Sequence, residues 1–540
     1  MQKRKTKKFA VLSLSMLFAG MTVLTACSSD KKEQAGQSAA PASSSAPAKA
    51  GNLKVELWDR GNPPEGVTIT NSFLTNYIKD NFGKPNNINV DFVPVPRSEE
   101  VPKLNILMAS NTDVPDIVIT YDKATFNKYA SQGGLTEVTD LVKQYGPNLS
   151  KFLGDDIMKI GQFKGKQYAI PAKRATTGKY ASFIRQDWLD KLNLKAPNTT
   201  DELYNVLKAF KEKDPGATGG KVVPLGMSIA PAQYEPLIWS FIDNVSDQTR
   251  FEQTQTLASR DYPILLPGFK EAVKFMNKLY NEGLMSQDFA LDKKKETLVK
   301  DIANGKVGFF SEDNINIFYN DGTYDSLKKN VPTAVLTPVD SYTNKDGKHT
   351  KPISAPNGMY IMIPQSSKNA VEAVKYLDWM STGDNLLTIL KGVKGQNYNL
   401  DSNGIPVIID NPAPAAKNNT FSGGDLGILA NGLVLDTQKK SDEAFVKNFP
   451  ERYQADTRKA LEISNTDGVA QVNTPRPIDA ESKYGTTLLT KAEELIVKAT
   501  MAKPNEFEAV FDSMMKGYMS SGGQAVLDER KAAWKEIQTK

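Results

Sequence analysis

The sequence has few of the side chains on which metalloenzymes and disulfide-stabilised proteins depend. Its 540 residues include one cysteine, Cys27, and one histidine, His349. A single cysteine excludes an internal disulfide. The lone histidine excludes an HExxH zinc site, and a Ser-His-Asp triad would have to use His349, which lies in a polar turn-forming segment and is expected to be solvated. No Walker or dinucleotide-binding glycine motif is present, so ATP binding is not expected.

Excess basic charge is also missing from most of the chain. The formal charge is +5, but the first eight residues carry five basic side chains and no acidic one. The rest of the chain is therefore neutral overall, which argues against nucleic acid as a partner, because nucleic-acid surfaces need a basic excess. No run after residue 24 is apolar and long enough to span a membrane.

The N-terminus has the organisation of a secretory signal. The basic segment is followed by an apolar run over residues 9–24 and then by Leu24-Thr25-Ala26-Cys27. We expect residues 1–26 to be a lipoprotein signal peptide, because Leu-Thr-Ala-Cys resembles the lipobox in which the cysteine is acylated, for example with palmitate. The alternative is a buried thiol beside an uncleaved signal anchor. Residues 27–50, rich in Ser, Ala, Lys, Gln and Pro, are expected to form a lipidated flexible tether.

Alternating segments after the tether predict an α/β fold. Strands are expected at residues 53–58, 88–95 and 115–121, and helices at 67–82 and 99–109. Such alternation builds sheets with crossover helices, and ligands bind beyond the carboxyl ends of the strands. The residues expected to face a cleft for this reason are Trp58, Asp59, Arg60, Tyr121 and Asp122.

The α/β pattern continues through the chain. It extends through residues 165–171 and 180–192, and further strand-like segments cover residues 222–227, 307–310 and 359–363. The further helices cover residues 200–210, where a threonine cap precedes an acidic first turn, 269–281, 370–380 and the chain from 491 onward.

An ordered set of short motifs resembles the motifs of a known protein family. The matching segments include Pro115-Asp-Ile-Val-Ile-Thr, Gly165-Lys-Gln-Tyr-Ala-Ile-Pro, Ile184-Arg-Gln-Asp-Trp-Leu-Asp-Lys-Leu and Gly305-Lys-Val-Gly-Phe-Phe. With Lys368-Asn-Ala-Val-Glu-Ala-Val-Lys-Tyr-Leu-Asp-Trp, they span most of residues 51–540. The chain thereby resembles the extracellular solute-binding proteins of bacterial ABC importers. It is most similar to the large oligosaccharide-binding branch of Gram-positive organisms, which is related to alginate-oligosaccharide and maltodextrin binders.

The resemblance implies a two-lobed, periplasmic-binding-protein-like fold of type II, with mixed sheets flanked by helices and a ligand cleft between the lobes. The implied N-terminal lobe is residues 51–172 plus about 337–392, and the C-terminal lobe is 173–336 plus about 393–540. The chain is expected to pass between the lobes near residues 171–174, near 336–338, and between 388 and 398. Hinge closure would bury the ligand.

The function that the resemblance implies is capture of a carbohydrate, expected to be an oligosaccharide, at the extracellular face of the cell membrane. A monomer anchored through Cys27 would deliver the sugar to permease subunits served by a separate ATPase, without a cofactor and without acting as an enzyme. Two alternatives stay open. One is a peptide-binding receptor of the same type, and the other is a surface-anchored glycoside hydrolase with two carboxylates.

Sugar binding needs aromatic faces and polar side chains together. Segments that combine them, or that match cleft-lining positions of the family, add further candidate contacts: Tyr234, Glu235, Trp239, Asp313, Asn314, Asn357 and Tyr398. A structural alternative accompanies several of the candidates. Trp58 and Trp239 are equally compatible with the core, and Asp59 with Arg60 could form an exposed ion pair.

Two arginines flank the first expected passage between the lobes. Arg174 or Arg185 could form a bidentate pair with a uronate carboxylate. For Arg185, the alternative is a structural ion pair with Asp187. We do not expect a metal, although related alginate-oligosaccharide binders carry a calcium loop after the helix that begins near residue 200. In this chain only Asp214 and Thr218 offer side-chain oxygens there.

Overall fold

The computed structural model describes residues 50–61, 63–110, 113–257, 260–313, 316–319, 321–472, 474 and 476–538. The expected signal peptide, Cys27 and the tether up to residue 49 lie outside the described residues, and so does Asn314.

The strands have two to nine residues and are spread over most of the described chain. In chain order they are β1 (Gly51–Asp59), β2 (Ile88–Pro96), β3 (Val118–Thr120), β4 (Gln162–Phe163), β5 (Lys166–Gln167), β6 (Ala169–Arg174), β7 (Tyr180–Arg185), β8 (Val223–Gly226), β9 (Gln255–Leu257), β10 (Arg260–Tyr262), β11 (Val307–Asp313), β12 (Leu336–Val339), β13 (Lys351–Pro352), β14 (Asn357–Met362), β15 (Tyr398–Leu400), β16 (Pro406–Ile408), β17 (Ala430–Asn431) and β18 (Gly468–Val469).

Helices connect and cover these strands. In chain order they are α1 (Phe73–Ile78), α2 (Glu100–Ser110), α3 (Lys123–Ser131), α4 (Thr139–Tyr145), α5 (Pro147–Leu153), α6 (Asp155–Ile160), α7 (Gln186–Leu192), α8 (Thr200–Lys213), α9 (Pro231–Ser240), α10 (Asp247–Gln253), α11 (Phe269–Asn281), α12 (Glu296–Ala303), α13 (Thr323–Asn330), α14 (Ala370–Met380), α15 (Asn385–Lys391), α16 (Gly423–Leu426), α17 (Gln438–Val446), α18 (Glu451–Asn465), α19 (Asp479–Met501), α20 (Phe507–Tyr518) and α21 (Gln524–Gln538). Within the described part of the chain, none of them is long and apolar enough to cross a membrane.

Two mixed sheets define two lobes. The sheet of the first lobe has the order β17-β6-β14-β3, and the parallel pair β1-β2 joins it through a bridge between Val55 and Ile117. The sheet of the second lobe has the order β12-β7-β11-β8, in which β7 is antiparallel to both of its neighbours. Both sheets therefore combine parallel and antiparallel pairs, as the two-lobed fold expected from the sequence requires.

Both sheets are covered on both faces. Along β7, Phe183 and Ile184 are fully buried but belong to different apolar clusters, because neighbouring side chains of a strand point to opposite faces. In the first lobe, Val118 and Ile119 of β3 divide in the same way between two clusters. Helices on each side provide the partners of these clusters, so each lobe has a core of its own.

The chain passes between the lobes where a strand of one sheet is followed by a strand or helix of the other. The first passage lies between β6 and β7 and the second between β12 and β14. The third differs from the expectation. Because β17 pairs with β6, the chain stays with the first lobe through Asn431, beyond the interval of residues 388–398, and reaches the second lobe with α18, which packs on β7 and β12.

Local signals explain which elements were predicted well. The alternating segment at residues 53–58 is confirmed as part of β1, and helices at 269–281 and 370–380 have the expected bounds. The helix expected from residue 67 is wrong in its first turns. The Ser72 hydroxyl accepts the backbone N–H of Thr75 and caps α1, so the helix starts at Phe73 after a β-branched segment that disfavours helix. The last expected helix starts earlier than residue 491, at Asp479.

Candidate functional site

A cavity of about 760 Å³ lies between the two lobes. Both lobes provide its walls, and three aromatic side chains, Tyr121, Trp239 and Tyr360, line it together with charged and amide groups. Tyr121 is the most accessible of the three, since Trp239 and Tyr360 are only 3% and 4% exposed. The polar side chains of the first-lobe wall include Glu100, Asp122, Lys123, Asn127, Arg174 and Asn357, and those of the opposite wall include Lys179, Thr256, Arg260, Asp261, Gln471 and Glu481. The cavity is thus a cleft whose shape depends on how the lobes are placed.

The carboxyl end of β3 provides one corner of the cleft. Asp122 caps α3 by accepting the backbone N–H groups of Ala124 and Thr125, each at 3.2 Å, and this places the start of the helix at the cavity. The Tyr121 hydroxyl accepts a hydrogen bond from Asn431 Nδ2 at 2.6 Å. Both residues therefore have fixed positions at the end of a strand, where ligands of such sheets bind.

Arg174 stands at the end of β6, where the chain leaves the first lobe. Its Nε donates to the backbone oxygens of Ala355 and Asn357 at 3.0 and 3.2 Å, and its Nη1 donates to Asn431 Oδ1 at 3.1 Å. Among the described residues, no carboxylate forms an ion pair with it. Burial lowers the pKa of the guanidinium, as expected for a charge that only neutral groups surround.

The opposite wall is built around a buried arginine. Arg530, with no exposed side-chain surface, donates from Nε to Glu481 at 2.7 Å and from Nη2 to the Thr256 hydroxyl at 2.8 Å. That hydroxyl donates in turn to Asp261 at 2.9 Å. Burial raises the pKa of Glu481. Through these hydrogen bonds, the buried Arg530 fixes the positions of three side chains that line the cavity, Thr256, Asp261 and Glu481.

A second polar cluster lies beside the cleft around Glu235. Its carboxylate accepts the Tyr180 hydroxyl at 2.8 Å and the Lys179 ammonium at 3.3 Å. Glu235 is 5% exposed, and it does not itself line the cavity. Lys179 does, so the predicted Glu235 acts on the cleft through a neighbour.

The structure brings five of the predicted contacts to the cavity: Tyr121, Asp122, Arg174, Trp239 and Asn357. They come from four separate segments of the chain and from both lobes. The indole N–H of Trp239 has no hydrogen-bond partner in the described part of the chain.

The first predicted cluster lies away from the cavity lining. Trp58 is completely buried in the first-lobe core, where its indole N–H donates to Glu56 at 3.1 Å and its ring lies 4.1 Å from the Arg97 guanidinium. The Asp59 carboxylate accepts the backbone N–H of Gly61 at 2.7 Å. Arg60 forms a bidentate pair with Asp425, with contacts of 2.9 to 3.0 Å.

Other predicted contacts are also occupied by protein partners. Arg185 forms an ion pair with Asp187 at 2.7 Å, the structural alternative to ligand binding, and its guanidinium lies over the ring of Trp188. Tyr234 is buried, and its hydroxyl lies 3.3 Å from the hydroxyl of Tyr262.

Asp313 and Tyr398 do not line the cavity either. Burial raises the pKa of Asp313, and its carboxylate accepts the side-chain amide of Asn316 at 3.0 Å. Tyr398 is buried on the β15–β16 hairpin of the first-lobe part of the chain.

Most of the second-lobe wall was not predicted. Thr256, Arg260 and Asp261 lie on a small hairpin, and Gln471 and Glu481 come from a segment more than 200 residues later. None of these residues stands in a motif. The one usable signal is the short β-branched segment before Arg260, which could have marked a strand end.

The side-chain oxygens of the loop after α8 bond within the loop itself. The Asp214 carboxylate accepts the backbone N–H groups of Thr218 and Gly220, each at 3.0 Å, and the Thr218 hydroxyl at 2.8 Å. These donors lower its pKa and close the loop themselves. Among the described residues, no cluster of three histidine, cysteine or carboxylate side chains could hold a metal ion.

Comparison with known families classifies the chain. Residues 66–385 match the family model described as bacterial extracellular solute-binding protein, and the chain belongs to this family. The crystal structure of the alginate-binding protein AlgQ2 without calcium ion superposes with a TM-score of 0.62 at 22% identity, over 90% of this chain and 98% of that one. The fold is therefore the periplasmic-binding-protein-like fold of solute-binding proteins.

Two curated relatives come from Bacillus subtilis strain 168. Lipoprotein LipO is 32% identical over 319 residues, which are 57% of this chain and 61% of that relative. The polygalacturonan/rhamnogalacturonan-binding protein YtcQ is 25% identical over 470 residues, 84% of this chain and 87% of that relative. The matched part of LipO is thus less than two thirds of its length, whereas the likeness to YtcQ extends through nearly the whole of both chains.

Proposed function

We propose that this protein captures a carbohydrate, of oligosaccharide size, in the cleft between its lobes and delivers it to the permease of an ABC importer. The observation that carries the proposal is the cleft lined by Tyr121, Trp239 and Tyr360 among hydrogen-bonding side chains of both lobes. Sugars present apolar ring faces bordered by hydroxyl groups, and they need this combination of partners. A volume of about 760 Å³ is in the range of ligand-binding clefts.

Family membership and the named relatives support the same function. The family consists of solute-binding proteins, and YtcQ and AlgQ2 are described as binders of polysaccharides. The peptide-receptor and glycoside-hydrolase alternatives receive no support from either source. The ATPase that drives import would be a separate chain.

Transport follows from the way the lobes share the cleft. Because the walls belong to different lobes, a sugar that contacts both of them favours the closed arrangement over the open one. The chain passes between the lobes at more than one place, which restricts the motion to a hinge. The closed form would then dock on the permease and release the ligand unchanged, since binding requires no chemical step.

Binding should be measurable as a gain in stability. A sugar present at a hundred times its dissociation constant is expected to raise the free energy of unfolding by about 2.7 kcal/mol. We would test neutral and uronate-containing oligosaccharides by thermal shift and calorimetry, and recover each ligand for mass spectrometry. Intact ligand from a stabilised complex supports the receptor. Cleaved ligand would assign a hydrolase, and stabilisation by peptides alone would replace the carbohydrate function.

Anchoring is part of the same proposal. We infer that Cys27 carries the lipid and holds the protein at the extracellular face of the membrane, with residues 28–50 as the tether; LipO is likewise named a lipoprotein. Several acyl chains on one residue are needed for stable attachment, since a single chain binds a membrane only weakly.

Replacement of Cys27 by serine is expected to abolish labelling with radioactive palmitate and to move the protein from the membrane fraction into the medium. Ser28→Ala, one residue further along, is the matched control and should stay in the membrane fraction. Membrane retention of Cys27→Ser without label would instead indicate an uncleaved signal segment as the anchor.

A further inference from the structure

The carboxylates that line the cleft already have donors from the protein. Asp122 is occupied by the start of α3, as described above, and Glu100 accepts from the Arg97 guanidinium and from the Thr120 hydroxyl. Asp261 accepts the backbone N–H of Val472 at 2.9 Å in addition to the Thr256 hydroxyl. Glu481 accepts from Arg530 and from the backbone N–H of Thr256. The acidic side chains thus serve the architecture of the walls.

The two lysines of the cleft also face acidic side chains. Lys179 forms an ion pair with Glu235 at 3.3 Å. Lys123 is close enough to Asp261 and Glu481 for their charges to act on its ammonium group. Both lysines therefore have an opposite charge nearby.

The two arginines of the cleft differ from the lysines. Arg174 is bonded only to neutral oxygens, and Arg260 has no hydrogen bond or ion pair with any described residue, although the charge of Glu235 acts on it and raises its pKa. Elsewhere in the described chain, Arg60 and Arg185 each hold a carboxylate in a bidentate pair. A half-buried guanidinium bonded only to neutral groups, as in Arg174, is costly, because burial removes water and provides no opposite charge. An anion for Arg174 would come with the ligand, and Arg260, which is exposed, still has its hydrogen-bond donors free of described partners.

We propose that the sugar is acidic, a uronate-containing oligosaccharide whose carboxylates pair with Arg174 on the first-lobe wall and Arg260 on the opposite wall. This inference rests on the proposed carbohydrate-binding function. A hydroxyl group can accept from a guanidinium, but only a carboxylate can both neutralise it and accept two parallel hydrogen bonds. Arg174 takes this role over Arg185, since the carboxylate of Asp187 already occupies Arg185.

Because the two arginines stand on opposite walls, the charge of the ligand should affect how strongly the lobes close around it. Arg174 lies at the end of β6 in the first lobe, and Arg260 lies on the β9–β10 hairpin against the second. A carboxylate-bearing sugar that bonds both guanidinium groups contacts both lobes through charge-assisted hydrogen bonds, so an acidic sugar should favour closure more strongly than a neutral one of equal size.

Calorimetry with matched ligands tests the proposal. We would compare trigalacturonate and trimannuronate with their methyl esters, which keep the sugar and remove the charge, and with maltotriose. We expect an acid to bind roughly ten- to a hundredfold more tightly than its ester. Arg174→Gln and Arg260→Gln should each remove most of this difference, and Arg174→Lys should retain part of it. Arg250→Gln, at an exposed ion pair on α10, is the control and should behave like the parent protein.

The outcomes separate the two proposals. Tighter binding of an acid that weakens with rising salt and depends on Arg260 supports the inference even if an Arg174 variant fails to fold. Equal affinity for acid and ester, unchanged in the arginine variants, overturns it and keeps the carbohydrate receptor. Binding of maltotriose alone has the same meaning. Failure of every sugar to bind a folded protein overturns the proposed function, and the inference with it.

Discussion

Replacement of Arg530 by methionine is expected to lower the free energy of unfolding by about 3–5 kcal/mol, among the largest effects of any single change in this chain. The guanidinium is fully buried and bonds Glu481, Thr256 and the backbone oxygen of Phe251. Without it, the buried carboxylate of Glu481 loses its cation. Urea titration monitored by circular dichroism would measure the change.

Two further variants show whether the buried charge is the cause. Arg250→Met removes an arginine from an exposed pair with Asp247 and should cost less than about 1 kcal/mol. Adding Glu481→Leu to Arg530→Met should recover part of the loss, because no unpaired charge then remains buried. A double variant less stable than Arg530→Met would contradict the charge explanation and indicate that packing of the arginine dominates.

The second large effect is a change of folding stability with pH. It comes from Glu56, whose carboxylate accepts the indole N–H of Trp58. Burial raises the pKa of Glu56 from 4.5 to about 8. Because the folded-state pKa exceeds the unfolded value, the stability that Glu56 contributes is complete below pH 4.5 and is lost as the pH rises to about 8. The loss amounts to about 1.4 kcal/mol per pH unit. Glu56→Gln should therefore gain about 4 kcal/mol relative to the parent between pH 5 and pH 8.

Unfolding curves of the parent and the variant over this pH range would measure the difference. Glu56 now accepts both the indole N–H of Trp58 and the backbone N–H of Ile119, and the glutamine oxygen can accept one of them. Loss of the other hydrogen bond would lower the stability of the variant by the same amount at every pH, so it cannot produce a pH-dependent difference. Glu65→Gln changes an exposed carboxylate and should track the parent throughout. A constant difference between Glu56→Gln and the parent would show that the carboxyl titrates normally in the folded protein.

Much of the local structure could be predicted because its causes are local. Alternation of apolar residues marked β1, and apolar spacing placed α11 and α14 at their observed bounds. The start of α1 was misjudged because the decisive interaction is the reciprocal pair of hydrogen bonds between Ser72 and Thr75, in which each side chain accepts the other's backbone N–H. The third passage between lobes was placed too early because β17 is two residues long and leaves no pattern in the sequence.

The residues of the candidate site also divide into those that local sequence predicted and those that it did not. Residues directly after predicted strands, such as Tyr121, Asp122 and Arg174, do line the cleft, because the end of a strand has a position that topology determines. The hairpin with Arg260 and the helix start with Glu481 come together from distant parts of the chain. Trp58 follows the same strand-end rule but is buried, because its ring packs into the first-lobe core against Tyr121.

By itself, the sequence determined the α/β character of the chain, the expected lipoprotein N-terminus, the neutral charge of the folded part and the family, since composition and ordered motifs carry these properties. The tertiary structure alone decided which arginine has no anion. Arg174 and Arg185 stand eleven residues apart in similar surroundings of sequence. Only Arg185 has a carboxylate within bonding distance. The sequence offered both Asp187 and a ligand carboxylate as its partner, and only the side-chain geometry decided between them.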